Sequence, residues 1–163
     1  VDFNVMASML GTQLRYLIEH LDTAVEESYR QAGLEYRPRY TPVVRTLMSL
    51  GPSTIRAISN HTGISHSGVS QTVSHMTKKG WVKVGGTEDG RERVVALSRS
   101  AERALPELEQ CWKATAKAAK SLDTELAYPL STLLEEAISA LRRRPFGDRL
   151  ASARRVKTRA DRE

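Results

Sequence analysis

Apolar residues return at helical spacing from about Asn4 to Gln31, at Met6, Met9, Leu10, Leu14, Leu17, Leu21, Val25 and Tyr29, which predicts one long helix. Gly33 supplies its stop, as a residue that tolerates the left-handed conformation past a helix end. At 1.5 Å per residue such a helix reaches about 40 Å, more than a small monomeric domain needs, so a second surface is expected to pack on it. Leu34 to Tyr40 contains Pro38 and reads as a loop. Thr41-Pro42 then opens a helix, threonine as N-cap and proline at the first helical position, running to about Leu50 with Val44, Leu47 and Met48 inward. Gly51-Pro52 ends it.

Ser53 or Thr54 caps a short helix whose Ile55 and Ile58 face inward, and Gly63 marks a sharp turn. Ser65 caps the next helix, His66 to Lys79, with Val69, Val73 and Met76 as its apolar face and Gly80 beyond its end. Trp81 to Val84 and Val94 to Leu97 read as strands around a polar, glycine-rich tip, which together predict a β-hairpin. Ser98 or Ser100 caps a second long helix carrying Ala101, Ala104, Leu105, Leu108, Cys111, Trp112, Thr115, Ala119 and Leu122. A last helix carries Leu130, Leu133, Leu134, Ala137, Ile138 and Leu141; Pro129 either opens it or kinks a helix begun near Thr124.

The chain of 163 residues is long enough to form an ordinary core as one domain. Its single cysteine excludes an internal disulfide framework. No apolar run approaches the roughly 18 residues of a membrane span. The first 30 residues lack a basic start followed by an apolar block, so no signal peptide and a soluble, cytoplasmic protein are expected.

The net charge of +6 is unevenly spread. Residues 1–36 sum to −4, residues 37–99 to +7, residues 100–141 to −3, and the last 22 residues to +6. A cationic centre between acidic flanks points to one face that meets a polyanion and another that does not. Charge alone fits an unevenly charged solvated surface equally well.

Helix, glycine turn, helix and hairpin, in that order, predict a winged helix-turn-helix. The apolar stripe of the second helix leaves His66, Ser67, Gly68, Ser70, Gln71, Ser74 and His75 projecting, with Ser65 at its cap. Small and hydrogen-bonding side chains of this kind suit a DNA major groove, where glutamine bridges adenine and serine donates or accepts. At the hairpin tip, Arg91 suits a minor groove, with Asp89 beside it to fix its rotamer and Arg93 as a second candidate. Arg37, Arg39, Arg56, Lys78, Lys79 and Lys83 are candidate phosphate contacts, although Lys78 and Lys79 serve equally well as helix C-terminal caps.

Thr41-Pro42, Gly51-Pro52-Ser53-Thr54, Gly63-Ile64-Ser65, Val69-Ser70, Lys78-Lys79-Gly80-Trp81-Val82 and Asp89-Gly90-Arg91 together resemble the MarR family of bacterial transcriptional regulators. By helix order and length the resemblance extends over about residues 4–144, and its most specific part is Asp89-x-Arg91 ahead of a strand ending Leu97-Ser98. The chain departs from the family pattern at Trp81, where an aliphatic residue is usual, and at His66 and Gln71, where Lys and Arg are frequent.

The resemblance implies a mainly α fold with a small β-hairpin wing, in which residues 1–36 and 100–144 are dimerisation helices, 37–99 the DNA-binding domain and 145–163 a basic tail. It implies a homodimer on an inverted-repeat operator in double-stranded DNA, acting as a repressor. It also implies a small anionic aromatic effector, for which Tyr16, His20, Tyr40 and Trp112 are the candidate liners. A winged-helix module that binds protein is the competing reading, and it would present an apolar face where Gln71, Ser74 and His75 are polar. No enzyme, cofactor or metal is expected: His20, His61, His66 and His75 form no HExxH, and no phosphate loop or glycine fingerprint is present. Cys111, on the inward stripe of its helix, reads as a small buried hydrophobe. The tail carries only Leu150 and Val156 as large apolar residues past Gly147, so it reads as a solvated or weakly docked segment, or as a further source of attraction to DNA.

Overall fold

The structure, a computed structural model, describes residues 9–86 and 93–160, with side chains followed to Arg154. Helix α1 (Leu10–Gln31) sends only its C-terminal end into the core. Tyr29 is buried and Val25 half-buried, whereas Met9, Leu10, Leu14 and Leu21 of the same stripe are exposed. Met6 lies outside the described residues.

A single 3-10 turn, Pro38–Tyr40, leads into α2 (Thr41–Leu50). Thr41 is the first helical residue rather than the cap, and its Oγ1 accepts a hydrogen bond from the Tyr36 hydroxyl at 3.2 Å. Pro42 still sits within the first turn, where no N–H is needed. Two of the three residues expected inward in α2, Val44 and Leu47, are so, and the third is not. Val43, Val44, Thr46 and Leu47 are buried while Met48 is exposed, and Thr46 enters the core because its hydroxyl donates to the Pro42 carbonyl at 2.8 Å.

Ser53 and Thr54 form β1, a two-residue strand that the hydrophobic pattern did not announce. Thr54 also caps α3 (Ile55–Thr62), its Oγ1 accepting from the Ala57 amide at 3.1 Å. Gly63, at φ 72°, makes the turn, and Ser65 caps α4 (His66–Lys78) by accepting from the Gly68 amide at 3.2 Å. Strands β2 (Val82–Gly86) and β3 (Arg93–Leu97) pair antiparallel, Val82 opposite Leu97, and β1 adds to the other side of β3. Ser98 is the cap of α5 (Arg99–Glu125): its Oγ accepts from the Ala101 amide and donates to the Gly80 carbonyl at 2.6 Å. One hydroxyl thus ties the start of α5 to Gly80, two residues past the end of α4. Pro106 lies inside α5 and removes one donor from its ladder.

Length predicts one domain, but the chain divides into two compact units, residues 1–113 and 114–163. The first has a continuous core that takes Tyr29 from α1, Val43, Val44 and Leu47 from α2, Ile58 from α3, Val69, Val73 and Met76 from α4, Val82 and Val95 from the sheet, and Ala101, Leu108, Cys111 and Trp112 from α5. The second comprises the end of α5, α6 (Leu130–Arg143) and α7 (Phe146–Ala160). Pro129 precedes α6 as its cap residue, and the Asp123 carboxylate accepts from the Leu130 and Ser131 amides at 2.7 and 3.3 Å, so α6 is a separate helix capped from α5. Alpha6 buries none of its side chains: Leu133, Leu134, Ile138 and Leu141 are exposed. The tail is helical as α7, with Arg149 donating to the carbonyls of Ala140 and Arg144 and Arg144 donating to Ser152.

The turn and the helix interior make opposite demands on glycine. Gly63 has a positive φ with open space around it, so Gly63→Ala is expected to cost about 1–2 kcal/mol from backbone strain alone. Gly11, helical and equally open, is expected to gain up to about 1 kcal/mol on replacement by alanine. Urea denaturation of the two variants checks this; shifts of the same sign would contradict it.

Candidate nucleic-acid interface

Burial of Val69, Val73 and Met76 fixes which way α4 faces. Ser65, His66, Ser67, Gln71 and Ser74 are exposed on the opposite side, with Ser70 and His75 half-buried beside them. Ser70, Gln71, Ser74 and His75 line an open groove of about 410 Å³ that is completed by Arg39 and Lys78. The structure therefore brings four of the seven candidate base-reading residues together with two of the six candidate phosphate contacts. Gly68 is not a projecting residue. A Cβ there would stand 3.1 Å from Ile64 Cγ2 and 3.2 Å from Ser65 Oγ, so its small size serves the turn and the cap.

The remaining cations are differently placed. Lys79 pairs with Glu35, and Arg37 lies 3.9 Å from Glu26. Hydrogen bonding from Lys79 holds the Glu35 carboxyl below the usual carboxylate range. Arg56 and Lys83 are exposed on α3 and β2, and neither lines the groove. Arg93 is exposed at the start of β3, opposite Gly86. Asp89 and Arg91 lie outside the described residues.

An aromatic cluster that the hydrophobic pattern did not reveal holds this face in place. The Tyr36 ring meets Tyr29, Tyr40 and Trp81 edge to face, at centroid separations of 4.8, 5.3 and 4.8 Å. Trp81 Nε1 donates to the Glu35 carbonyl at 2.9 Å, and the Tyr40 hydroxyl is hydrogen-bonded to His75 Nδ1. Residues 35–40 are thus fastened to the C-terminal half of α4 and to the residue that opens the hairpin. Burial pushes the Tyr36 hydroxyl well above the ordinary tyrosine range. Partial burial and the cations Arg39, Arg37, Lys79 and Lys78 push the His75 imidazole below the ordinary histidine range. The available signals were Tyr36 and Tyr40 flanking Pro38, and a tryptophan at position 81.

Of the four candidate effector residues, Tyr40 alone lines a second cleft, of about 380 Å³, between α1 and the segment after it, together with Tyr36, Arg37, Glu26, Glu35 and Lys79. Tyr16 and His20 pack on one another on the exposed side of α1, with ring centroids 4.0 Å apart. Trp112 is buried, with the Arg45 guanidinium 4.6 Å above its ring. Cys111 is buried too, and burial raises its thiol above the ordinary range. Among the described residues no group of three or more His, Cys, Asp or Glu side chains could hold a metal ion, and no helix is long and apolar enough to cross a membrane.

A short helix, a glycine turn, a second helix with a polar outer face and a three-stranded antiparallel sheet make up a winged helix-turn-helix, a class of DNA-binding protein. Residues 33–92 match the MarR family model. The chain is 25% identical over 104 residues to YwoH of Bacillus subtilis (strain 168), an uncharacterized HTH-type transcriptional regulator, a match that spans 58% of this chain and 76% of YwoH. The fold is similar to that of the organohalide-sensing regulator RdhR in its 2,4-dichlorophenol-bound form, at 17% identity with a TM-score of 0.68, covering 89% of this chain and 85% of RdhR. It is also similar to reduced AbfR bound to DNA, at 18% identity with a TM-score of 0.61, covering 88% and 98% of the two chains.

If the Trp81 hydrogen bond helps to fasten residues 35–40, Trp81→Phe, which keeps an aromatic ring but loses the Nε1 donor and some volume, should destabilise the protein by about 1–3 kcal/mol. Chemical denaturation measures this, and a variant as stable as the parent would contradict the anchoring role.

Proposed function

We propose that this regulator binds double-stranded DNA as a homodimer on an inverted-repeat operator, as a repressor, with α4 in the major groove. The observation that carries this reading is the groove on α4, where Ser70, Gln71, Ser74 and His75 stand between Arg39 and Lys78. Side chains that donate and accept hydrogen bonds at the centre, with cations at the rim, suit base edges flanked by phosphates. Ser65, His66 and Ser67, at the N-terminal end of the helix, extend the same face toward bases. Lys79, Arg37, Arg56 and Lys83 add phosphate contacts around it, and Arg91, oriented by Asp89 and assisted by Arg93, enters the adjacent minor groove. A protein-binding module would need an apolar patch here, and the exposed residues of this face are polar.

Dimerisation accounts for apolar surface that each unit leaves uncovered. Alpha1 exposes Met9, Leu10, Leu14, Ile18 and Leu21, and α6 exposes Leu133, Leu134, Ile138 and Leu141. A second copy of the chain covering both stripes would remove them from water, so residues 1–36 and 100–144 are proposed as dimerisation helices and 37–99 as the DNA-binding domain. The basic segment 145–163 adds sequence-independent attraction to DNA. The protein works where the chromosome lies, in the cytoplasm. A small anionic aromatic effector is proposed to loosen its hold on DNA, and the 2,4-dichlorophenol-bound form of RdhR supports a small-molecule ligand in this fold. Tyr40 is the liner that the second cleft favours, and Tyr16, His20 and Trp112 would contribute only in a site completed by a second copy.

Gln71→Ala separates base reading from general attraction. At the cognate operator the variant is expected to lose about 1–3 kcal/mol of binding, with little change on random duplexes. Fluorescence anisotropy on both DNAs measures the difference, and equal losses would remove Gln71 from the specificity residues.

A further inference from the structure

Among the described residues that α4 gives to the groove, His75 is hydrogen-bonded by a side chain from outside the helix. Its Nδ1 is bonded to the Tyr40 hydroxyl, and the two rings lie 5.7 Å apart at 45°. Tyr40 is 1% exposed, so its hydroxyl proton cannot rely on water and needs an acceptor inside the protein. The Arg39 guanidinium lies beside the same ring, 6.0 Å from its centroid, and interacts with the hydroxyl. A guanidinium only donates. If His75 Nδ1 also carried a proton toward Tyr40, two donors would converge on one phenolic oxygen and the buried tyrosine proton would have no acceptor. The arrangement that satisfies every group has Tyr40 donating to Nδ1.

Partial burial and the surrounding cations also disfavour the charged form of the ring. Arg37 and Arg39 act on it from the segment before α2, and Lys78 and Lys79 from the end of its own helix and the cap residue beyond; among the described residues the nearby carboxylate, Glu35, is paired with Lys79. A neutral imidazole whose Nδ1 accepts must carry its proton on Nε2. Among the described residues Nε2 has no hydrogen-bond partner, and His75 lines the open groove with Gln71 and Ser74.

We propose that Tyr40 fixes His75 as the Nε2–H tautomer and so gives the recognition face a hydrogen-bond donor, not an acceptor, at this position. Tyr40 is then a positioning residue that acts on DNA only through His75. The inference deepens the proposed function, because it takes α4 to be the element that enters the major groove. A donor there is satisfied by the N7 or O6 of guanine, the N7 of adenine or the O4 of thymine, and it rejects the amino edge of cytosine. Histidine without a tautomer lock would accept either kind of edge.

The tautomer is measurable in the full-length protein without DNA. In long-range proton–nitrogen correlation spectra of ¹⁵N-labelled protein at neutral pH, with the signal assigned by its loss in His75→Gln, Nδ1 should show the shift of an unprotonated nitrogen and Nε2 that of a protonated one. In Tyr40→Phe, whose amide spectrum reports whether the fold is kept, the two nitrogens should move toward averaged values. A wild-type spectrum with the proton on Nδ1, or with averaged nitrogens, would overturn the proposal whatever the protein binds. Tyr40→Phe should also lose affinity several-fold for the DNA that the protein selects, and none for random duplexes. Losses that are equal on both, or absent on both, would overturn the link from the tautomer to recognition. The expected tautomer in a protein that selects no DNA would instead refute the reading of α4 as a DNA-binding helix.

Discussion

The edge-to-face packing of Tyr36 on Tyr29, Tyr40 and Trp81 is the contact on which the position of α4 depends. Each ring comes from a different part of the chain: the end of α1, the segment after it, the residue before α2, and the start of the hairpin. Pairs of this geometry contribute about 0.5–1.5 kcal/mol each beyond the area they bury. The hydrogen bonds at the edge of the cluster, Trp81 to the Glu35 carbonyl and Tyr40 to His75, convert that packing into orientation. Alpha4 is consequently set by residues 35–40 as well as by its own apolar stripe.

Magnitudes decide what the charges around this cluster do. In the Lys79–Glu35 pair the side chains are 40% and 79% exposed, and in Arg37–Glu26 about half exposed on each side. Exposed pairs of this kind contribute about 0–1 kcal/mol, too little to keep Lys79 or Arg37 from a phosphate. They set where the cations wait; the cluster sets the fold. The second unit presents the reverse case. The amides that open α6 donate to the Asp123 carboxylate and Arg149 donates to the carbonyls ahead of α7, which defines the helix ends, but the unit's apolar side chains stay exposed.

The sequence pattern was most informative where one face of an element is buried. The stripe Val69, Val73 and Met76, the cap Ser65 and the turn at Gly63 follow from periodicity and side-chain chemistry and stand in the structure, which also chooses Thr54 over Ser53 and Ser98 over Ser100 as caps. In α2 Val44 and Leu47 face inward as expected, but Thr46, which bonds its own helix, is buried where Met48 was expected, and no hydrophobicity pattern contains that bond. Strand β1 escaped notice because two residues cannot show a period of two. Asp123 capping a helix that begins seven residues later, and the ring cluster joining positions 29, 36, 40 and 81, depend on tertiary distances that spacing does not encode. Of the candidate site, the polar face of α4 was legible as a set. The engagement of His75 by Tyr40 was not, and the effector residues were chosen as ring-bearing side chains without a means to tell exposed Tyr16 from buried Trp112.

Alpha4, held by this cluster, is proposed to read duplex sequence in a symmetric dimer. The most direct measurement is to incubate the purified protein with a pool of random-sequence duplexes at physiological salt and to sequence what it retains over successive rounds. The account predicts an inverted repeat whose two halves lie about one helical turn apart, roughly 10 base pairs from centre to centre. A retained pool with the composition of the input would contradict it.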